Sequence, residues 1–337
     1  CDRCTRTVWH RPYRHAADTG EDLASDPRTI ALREDPADDT SGGTEGEPTM
    51  YPSSFTYYRA GSVQEALKLL IENPDAKLLA GGHSLIPAMK LRLASPSALI
   101  DISRISELAG IRDAGDRIVI GAMTRYDDIQ RSDLVRRVLP ILPEAIDVIG
   151  DLQVRNMGTI GGSLAHADPA ADLPAVVLAL GAEIKAVGPN GERTIPADQF
   201  FVDLFTTALQ PNEILTEISF PKPPARTGMS YQKFANPASG YAVVGAAAVV
   251  TLAEDGTVAA ARVGVTGAGP YAVRRENVEQ ALVGKQPTAE TIEAASQLAS
   301  EGLTFNGDIF ASEEYRAHLT RVFVKRALTR AVERARG

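Results

Sequence analysis

The chain reads as an α+β protein of two domains, and three observations lead there. It has 337 residues with 44% hydrophobic side chains, enough for two cores at roughly 100–200 residues per domain. Between Phe55 and Asp101 short apolar runs alternate with one segment of helical period, the β-α-β pattern. Beyond Pro221-Lys222-Pro223-Pro224 the runs lengthen and are separated by turn residues, which predicts an antiparallel sheet followed by helices. The proline cluster places the boundary, giving domains of 50–224 and 225–337.

Residues 1–49 stand apart. Asp, Glu, Arg, Thr, Gly and Pro dominate them and apolar periodicity is absent, the composition of a disordered acidic tail. Met50 is the first methionine, so the segment is expected to be either a dispensable tail or a mis-assigned start. It lacks the apolar stretch of a secretory signal. The chain's two cysteines, Cys1 and Cys4, both lie there, and a lone C-x-x-C is weak evidence for a metal, so no metal site is expected. A body without cysteine cannot hold an iron–sulfur cluster through thiolates, which puts any such centre on a partner. A net charge of −8 argues against nucleic acid or an anionic membrane surface. With no run of 18 apolar residues to span a bilayer, the expected location is the cytoplasm, with the inner face of the membrane as the alternative.

Taken in order, Phe55–Tyr58 predicts a first strand, and Ser62-x-x-Glu65 a capping box opening a helix over Val63–Glu72 that Pro74 ends. Lys77–Ala80 returns as a strand. Ala98–Asp101 and Arg117–Ile120 are further strands, and Leu134–Ile149 is helical but broken by Pro140 and Pro143. Leu173–Leu180 is a buried helix, Glu183–Val187 and Arg193–Ile195 a hairpin around Pro189-Asn190-Gly191, and Ile214–Phe220 an alternating strand. The second domain has strands at Ser230–Phe234, Tyr241–Leu252 and Thr257–Thr266, then helices over Val273–Leu282, Thr288–Ser300 and Glu313–Arg336.

Two side-chain-poor turns carry the chemistry. The first, Gly81-Gly82-His83-Ser84-Leu85, follows the strand end Leu78-Leu79-Ala80. The second spans Gly158-Thr159-Ile160-Gly161-Gly162-Ser163. Glycines let backbone N–H groups approach an anion closely, and the hydroxyls of Ser84, Thr159 and Ser163 stand beside them, so two such turns suit the two phosphates of a dinucleotide. Neither is the G-x-G-x-x-G of a nicotinamide fold. Asp168 and Asp172, four apart before the apolar helix, fit either capping or the hydroxyls of a sugar or ribityl chain. His83 and His166 read as anchoring residues. Ser84 and Ser163 lack a nucleophile-elbow context, so no catalytic triad is expected. Gly267-Ala268-Gly269-Pro270-Tyr271-Ala272 matches G-x-G-x-x-A, but helices follow it where a second parallel strand is required, and it reads as a plain turn.

Ala80-Gly81-Gly82-His83-Ser84-Leu85-Ile86-Pro87, Met89-Lys90-Leu91-Arg92, Leu99-Ile100-Asp101 and Gly158–Ser163 with Asp172 resemble the FAD-binding medium subunits of the molybdenum hydroxylases, towards those of aerobic carbon monoxide dehydrogenases. The resemblance runs from Met50 to the C-terminus. It implies a two-lobed FAD-binding domain of the vanillyl-alcohol-oxidase-like type, followed by a smaller domain of antiparallel sheet plus helices. It also implies non-covalent FAD held by Ala80, Gly81, Gly82, His83, Ser84, Leu85, Thr159, Ile160, Gly161, Gly162, Ser163, Asp172 and Leu215, with Lys233 near the flavin and Tyr241 beside its ring. No residue of the chain is expected to act as a catalytic acid or base. The implied partners are a large subunit that oxidises substrate at molybdenum and a small subunit with two 2Fe–2S clusters, in a dimer of heterotrimers. FAD then passes electrons to an external acceptor such as a quinone. Two positions depart from the family pattern: Ser163 stands where the carbon monoxide enzymes carry Asn, and Gly240 where Asp is usual. The alternatives are a subunit serving an aldehyde, xanthine or nicotinate hydroxylase, a self-contained oxidase with covalent flavin, and a flavin-free scaffold.

Overall fold

The computed structural model describes residues 29–31 and 51–337. Its first lobe is a sheet in the order β1-β2-β4-β3, from β1 (Thr29–Ala31), β2 (Thr56–Arg59), β3 (Lys77–Leu79) and β4 (Ala98–Asp101). β2, β4 and β3 are parallel and β1 pairs antiparallel with β2. α1 (Val63–Glu72) crosses from β2 to β3; Ser62 Oγ accepts from the Glu65 N–H at 3.1 Å, and Val63, Ala66 and Leu70 share a core with Ala98 and Ile100. Glu65 reaches back to the N–H of Gly61, at 2.8 Å, so the capping box is displaced by one residue. The strand at Thr29–Ala31 lies inside the segment expected to be a structureless tail, so that expectation fails for these three residues. For the rest of 1–49 it falls outside the described residues.

α2 (Leu85–Lys90) springs from the first glycine turn. The second lobe is an antiparallel sheet of β5 (Ile111–Asp113), β6 (Arg117–Gly121), β7 (Glu183–Gly188) and β8 (Gly191–Pro196), with β11 (Ile214–Pro221) at its centre, in the order β5-β6-β11-β7-β8. A small hairpin, β9 (Phe201–Asp203) with β10 (Thr206–Thr207), precedes β11. Between β6 and β7 lie α3 (Tyr126–Arg131), α4 (Asp133–Val138), α5 (Ile141–Asp147), α6 (Leu152–Met157), α7 (Ile160–His166) and α8 (Leu173–Ala179). The helix predicted over Leu134–Ile149 breaks only at Pro140, the N-cap of α5. Pro143 sits in the first turn of α5, where a missing N–H costs no hydrogen bond.

The C-terminal domain is the sheet β12 (Thr227–Ala235), β13 (Ala242–Leu252), β14 (Val258–Thr266) and β15 (Val273–Arg274) with α9 (Glu276–Leu282), α10 (Ala289–Gln297) and α11 (Glu313–Arg336). The helix expected from Val273 begins only at Glu276, because Val273 and Arg274 pair with β14. Both faces of this sheet are covered. Val244, Ala246, Ala248 and Val250 pack under α11, while Ala247 on the opposite face joins the core containing α8. A strand buried on both sides reads as a continuous apolar run, as Ala242–Val250 does. Two glycines permit this closeness: a Cβ on Gly228 would stand 2.0 Å from the Ala331 carbonyl oxygen of α11, and one on Gly264 2.1 Å from that of Ala175 in α8.

Candidate cofactor site

The fold brings the two glycine turns against each other. A Cβ on Gly81 would lie 2.1 Å from the Met157 carbonyl oxygen and 3.1 Å from Gly158 Cα, and one on Gly162 would lie 3.6 Å from Ala80 Cβ. Gly82 adopts φ +74°, which an L side chain rarely takes. The backbone N–H groups of Gly81, Gly82, His83, Ser84 and Leu85 meet no acceptor among the described residues. His83 is exposed, and its Nδ1 lies 3.1 Å from the Gly81 carbonyl oxygen, an anchor for the turn. These free donors in a cradle without side chains suit a diphosphate group.

The second stretch works differently from its sequence reading. It is a helix entrance: Thr159 is the N-cap of α7, and Gly161 and Gly162 lie in its first turn without positive φ. Its amides are already used. Ile160 N–H donates to the Thr124 carbonyl, Gly161 N–H to that of Ala122 at 2.8 Å, Ser163 N–H to that of Thr159, and Gly162 N–H to Thr159 Oγ1 at 3.2 Å. Gly161 is there for packing, since a Cβ would meet Ala122 Cβ at 2.5 Å. The second stretch therefore offers a smooth wall and the Ser163 hydroxyl, while the free donors belong to the first turn.

Asp172 also departs from expectation. It precedes α8 without a side-chain cap. Its carboxylate is buried, accepting from Tyr231 Oη at 2.5 Å and from Lys233 Nζ at 2.9 Å. Lys233 Nζ also donates to the Val148 carbonyl oxygen at 2.9 Å. Burial pushes the Asp172 carboxyl above its usual range, with the Lys233 ammonium and the two hydrogen bonds opposing. Asp172 and Lys233 thus meet, as a bridge between the first and the C-terminal domain.

Tyr241 is 44% exposed, just before β13. Burial of part of its ring, then the charges of Asp168 and Asp172, raise its hydroxyl pKa, which places it beside the same carboxylates. Gly240 before it has φ +72°, a left-handed turn that suits glycine. Leu215 is 5% exposed and packs in the core of the second lobe. His166 sits at the end of α7 against the Phe205 ring, 5.2 Å away, and burial lowers its pKa.

Sequence reasoning missed Tyr126. Its buried ring lies where a Cβ on Gly158 would come within 2.6 Å; burial pushes its hydroxyl pKa up to about 12, with the neighbouring Ser163 side chain opposing. It links the glycine cleft to Asp172 and Tyr241, and no motif around it signalled this. The turn at Gly267–Ala272 leads into β15, antiparallel to β14, so no dinucleotide unit forms there. Among the described residues no group of His, Cys, Asp and Glu is placed to hold a metal ion, and no helix is long and apolar enough to cross a membrane.

Comparison with known proteins agrees with this geometry. Residues 53–223 match the FAD binding domain in molybdopterin dehydrogenase, and residues 229–331 the CO dehydrogenase flavoprotein C-terminal domain. The chain is 44% identical to the carbon monoxide dehydrogenase medium chain of Hydrogenophaga pseudoflava, over 84% of this chain and 98% of that one. It is 42% identical to the alpha subunit of the 6-hydroxypseudooxynicotine dehydrogenase complex of Paenarthrobacter nicotinovorans, over 85% and 97%. The solved carbon monoxide dehydrogenase of Hydrogenophaga pseudoflava superposes with a TM-score of 0.82 at 45% identity, covering 84% of this chain and 99% of that one. With two matched domains and a cleft of free amides between glycine walls, the chain belongs to the FAD-binding medium-subunit family of the molybdenum hydroxylases, and is an FAD-dependent oxidoreductase subunit.

Proposed function

We propose that FAD lies in the cleft between the turns at Gly81–Leu85 and Gly158–Ser163, and that the chain passes electrons through it. They arrive from iron–sulfur clusters on a small partner subunit and leave to an external acceptor such as a quinone. The observation that carries this is the row of free N–H donors at Gly81–Leu85, facing a wall that glycine keeps bare. When bound, FAD supplies reversible electron acceptance and donation, and the protein's part is to hold and tune it. The first-turn amides take the diphosphate, the Ser163 hydroxyl and Asp172 carboxylate take polar groups of the cofactor, and Tyr241 limits access to one face of the ring.

A large subunit with molybdenum completes the assembly, with carbon monoxide as its substrate. A second reading, oxidation of an aldehyde or of a nitrogen-ring compound, is favoured by one observation: the identities to the carbon monoxide dehydrogenase medium chain and to the 6-hydroxypseudooxynicotine dehydrogenase alpha subunit are 44% and 42%. Co-expression with a large and a small subunit tests both. Dye reduction driven by carbon monoxide supports the first reading. Dye reduction by a ring or aldehyde substrate alone replaces it with the second. A purified chain that binds no flavin contradicts the site itself.

A further inference from the structure

Tyr231 lies outside the cofactor-binding residues read from the sequence, yet its hydroxyl, on a side chain 3% exposed, is committed to Asp172. Tyr231 and Lys233 are two apart on β12, on one face of the strand, and each donates to a different oxygen of the carboxylate. Asp172 belongs to the FAD-binding domain and both donors to the C-terminal domain. The phenol has a prepared place: a Cβ on Gly245 of β13 would stand 2.1 Å from Tyr231 Oη. The strand is held in register from the other side, since Glu144 Oε1 of α5 accepts from the Tyr231 N–H at 3.2 Å and from Ser230 Oγ at 3.0 Å.

We propose that Tyr231 is a positioning residue for the cofactor: with Lys233 it keeps the Asp172 carboxylate ionised and in one orientation, so the C-terminal domain completes the FAD site from outside the cleft. This rests on the reading of Asp172 as a cofactor-holding residue. The chemistry is direct. A carboxylate buried this deeply takes up a proton unless donors oppose it. An ionised carboxylate accepts from cofactor hydroxyls on either oxygen, whereas the protonated form turns one oxygen into a donor. The groups facing Asp172 are Tyr231 and Lys233 from β12, Tyr126 from α3 and Tyr241 before β13. Burial raises the hydroxyl pKa of all three tyrosines above the ordinary 10.0, so near neutral pH they stay protonated, and within this cluster it is the Asp172 carboxyl that acidification changes.

The test is FAD binding to the deflavinated full chain between about pH 5.5 and 8, with a thermal melt of each variant. In Tyr231→Phe, affinity at neutral pH falls about tenfold, the cost of one hydrogen bond to a charged group. Its decline on acidification also starts at a higher pH than in the unaltered chain. Lys233→Gln, which removes the opposing positive charge, moves the decline in the same direction. Asp172→Asn binds weakly throughout, with no such decline. If Asp172→Asn loses FAD while Tyr231→Phe and Lys233→Gln keep the unaltered profile, the positioning role is overturned and the Asp172 reading survives. If Asp172→Asn binds FAD normally, the Asp172 reading falls, and the proposal with it.

Discussion

At the scale of the residue, the two kinds of glycine in the site predict different failures. Gly82 has φ +74° and only the side-chain ends of Ile86 and Leu79 near its missing Cβ, so Gly82→Val strains a local turn and fills the cradle. It is expected to lower the ratio of bound flavin to protein, read by absorbance, at least tenfold while the circular dichroism spectrum stays unchanged. Full occupancy would remove the first turn from the site. Gly161 is packed on Ala122, so Gly161→Val is expected to lower stability by about 1–3 kcal/mol through overpacking, whatever the flavin does. Asp172→Ala is likewise a stability variant: it strands the Lys233 ammonium, whose side chain is 4% exposed, and breaking a buried pair costs about 3–5 kcal/mol in urea unfolding. Tyr241→Ala, at an exposed position, is expected to keep the fold and the flavin but to change the rate at which reduced flavin reacts with oxygen or quinone, followed by stopped flow. Unchanged reoxidation would make Tyr241 a loop residue only.

At the scale of the element, what the sequence made legible tracks the length of its patterns. Eleven residues of β13 and the 24 of α11 carry strong signals, and their predicted bounds agree with the structure to within a residue. α6 and α7 were invisible, since α6 buries none of its residues and so presents no apolar face, and glycine at 161 and 162 reads as a turn. That one error hid the fact that the second stretch spends its amides on its own helix. β1 was hidden too, because three residues that gain structure only by pairing with β2 leave no periodicity of their own. Removing residues 1–49 exposes the β2 edge and deletes those hydrogen bonds. Each such bond is worth about 1 kcal/mol, so the melting temperature is expected to fall by roughly 2–4 °C with FAD content retained. An unchanged melt would mean that β1 adds nothing to the first lobe.

At the scale of the whole molecule, three sheets contribute to the proposed site. The parallel lobe supplies a turn of free amides, the antiparallel lobe supplies a bare wall at α7, and the C-terminal sheet supplies Tyr231 and Lys233 to fasten Asp172. The paired motifs were legible because glycine spacing is local. The Asp172 bridge was not, because its partners lie 59 and 61 residues away and only packing brings them together. The most direct measurement of the account is the fate of flavin when the purified full chain is precipitated with acid. One FAD per chain is predicted to appear in the supernatant, leaving a colourless pellet, because in the proposed site the cradle holds the cofactor by hydrogen bonds. A pellet that stays yellow, or a chain that carries no flavin before precipitation, would contradict it.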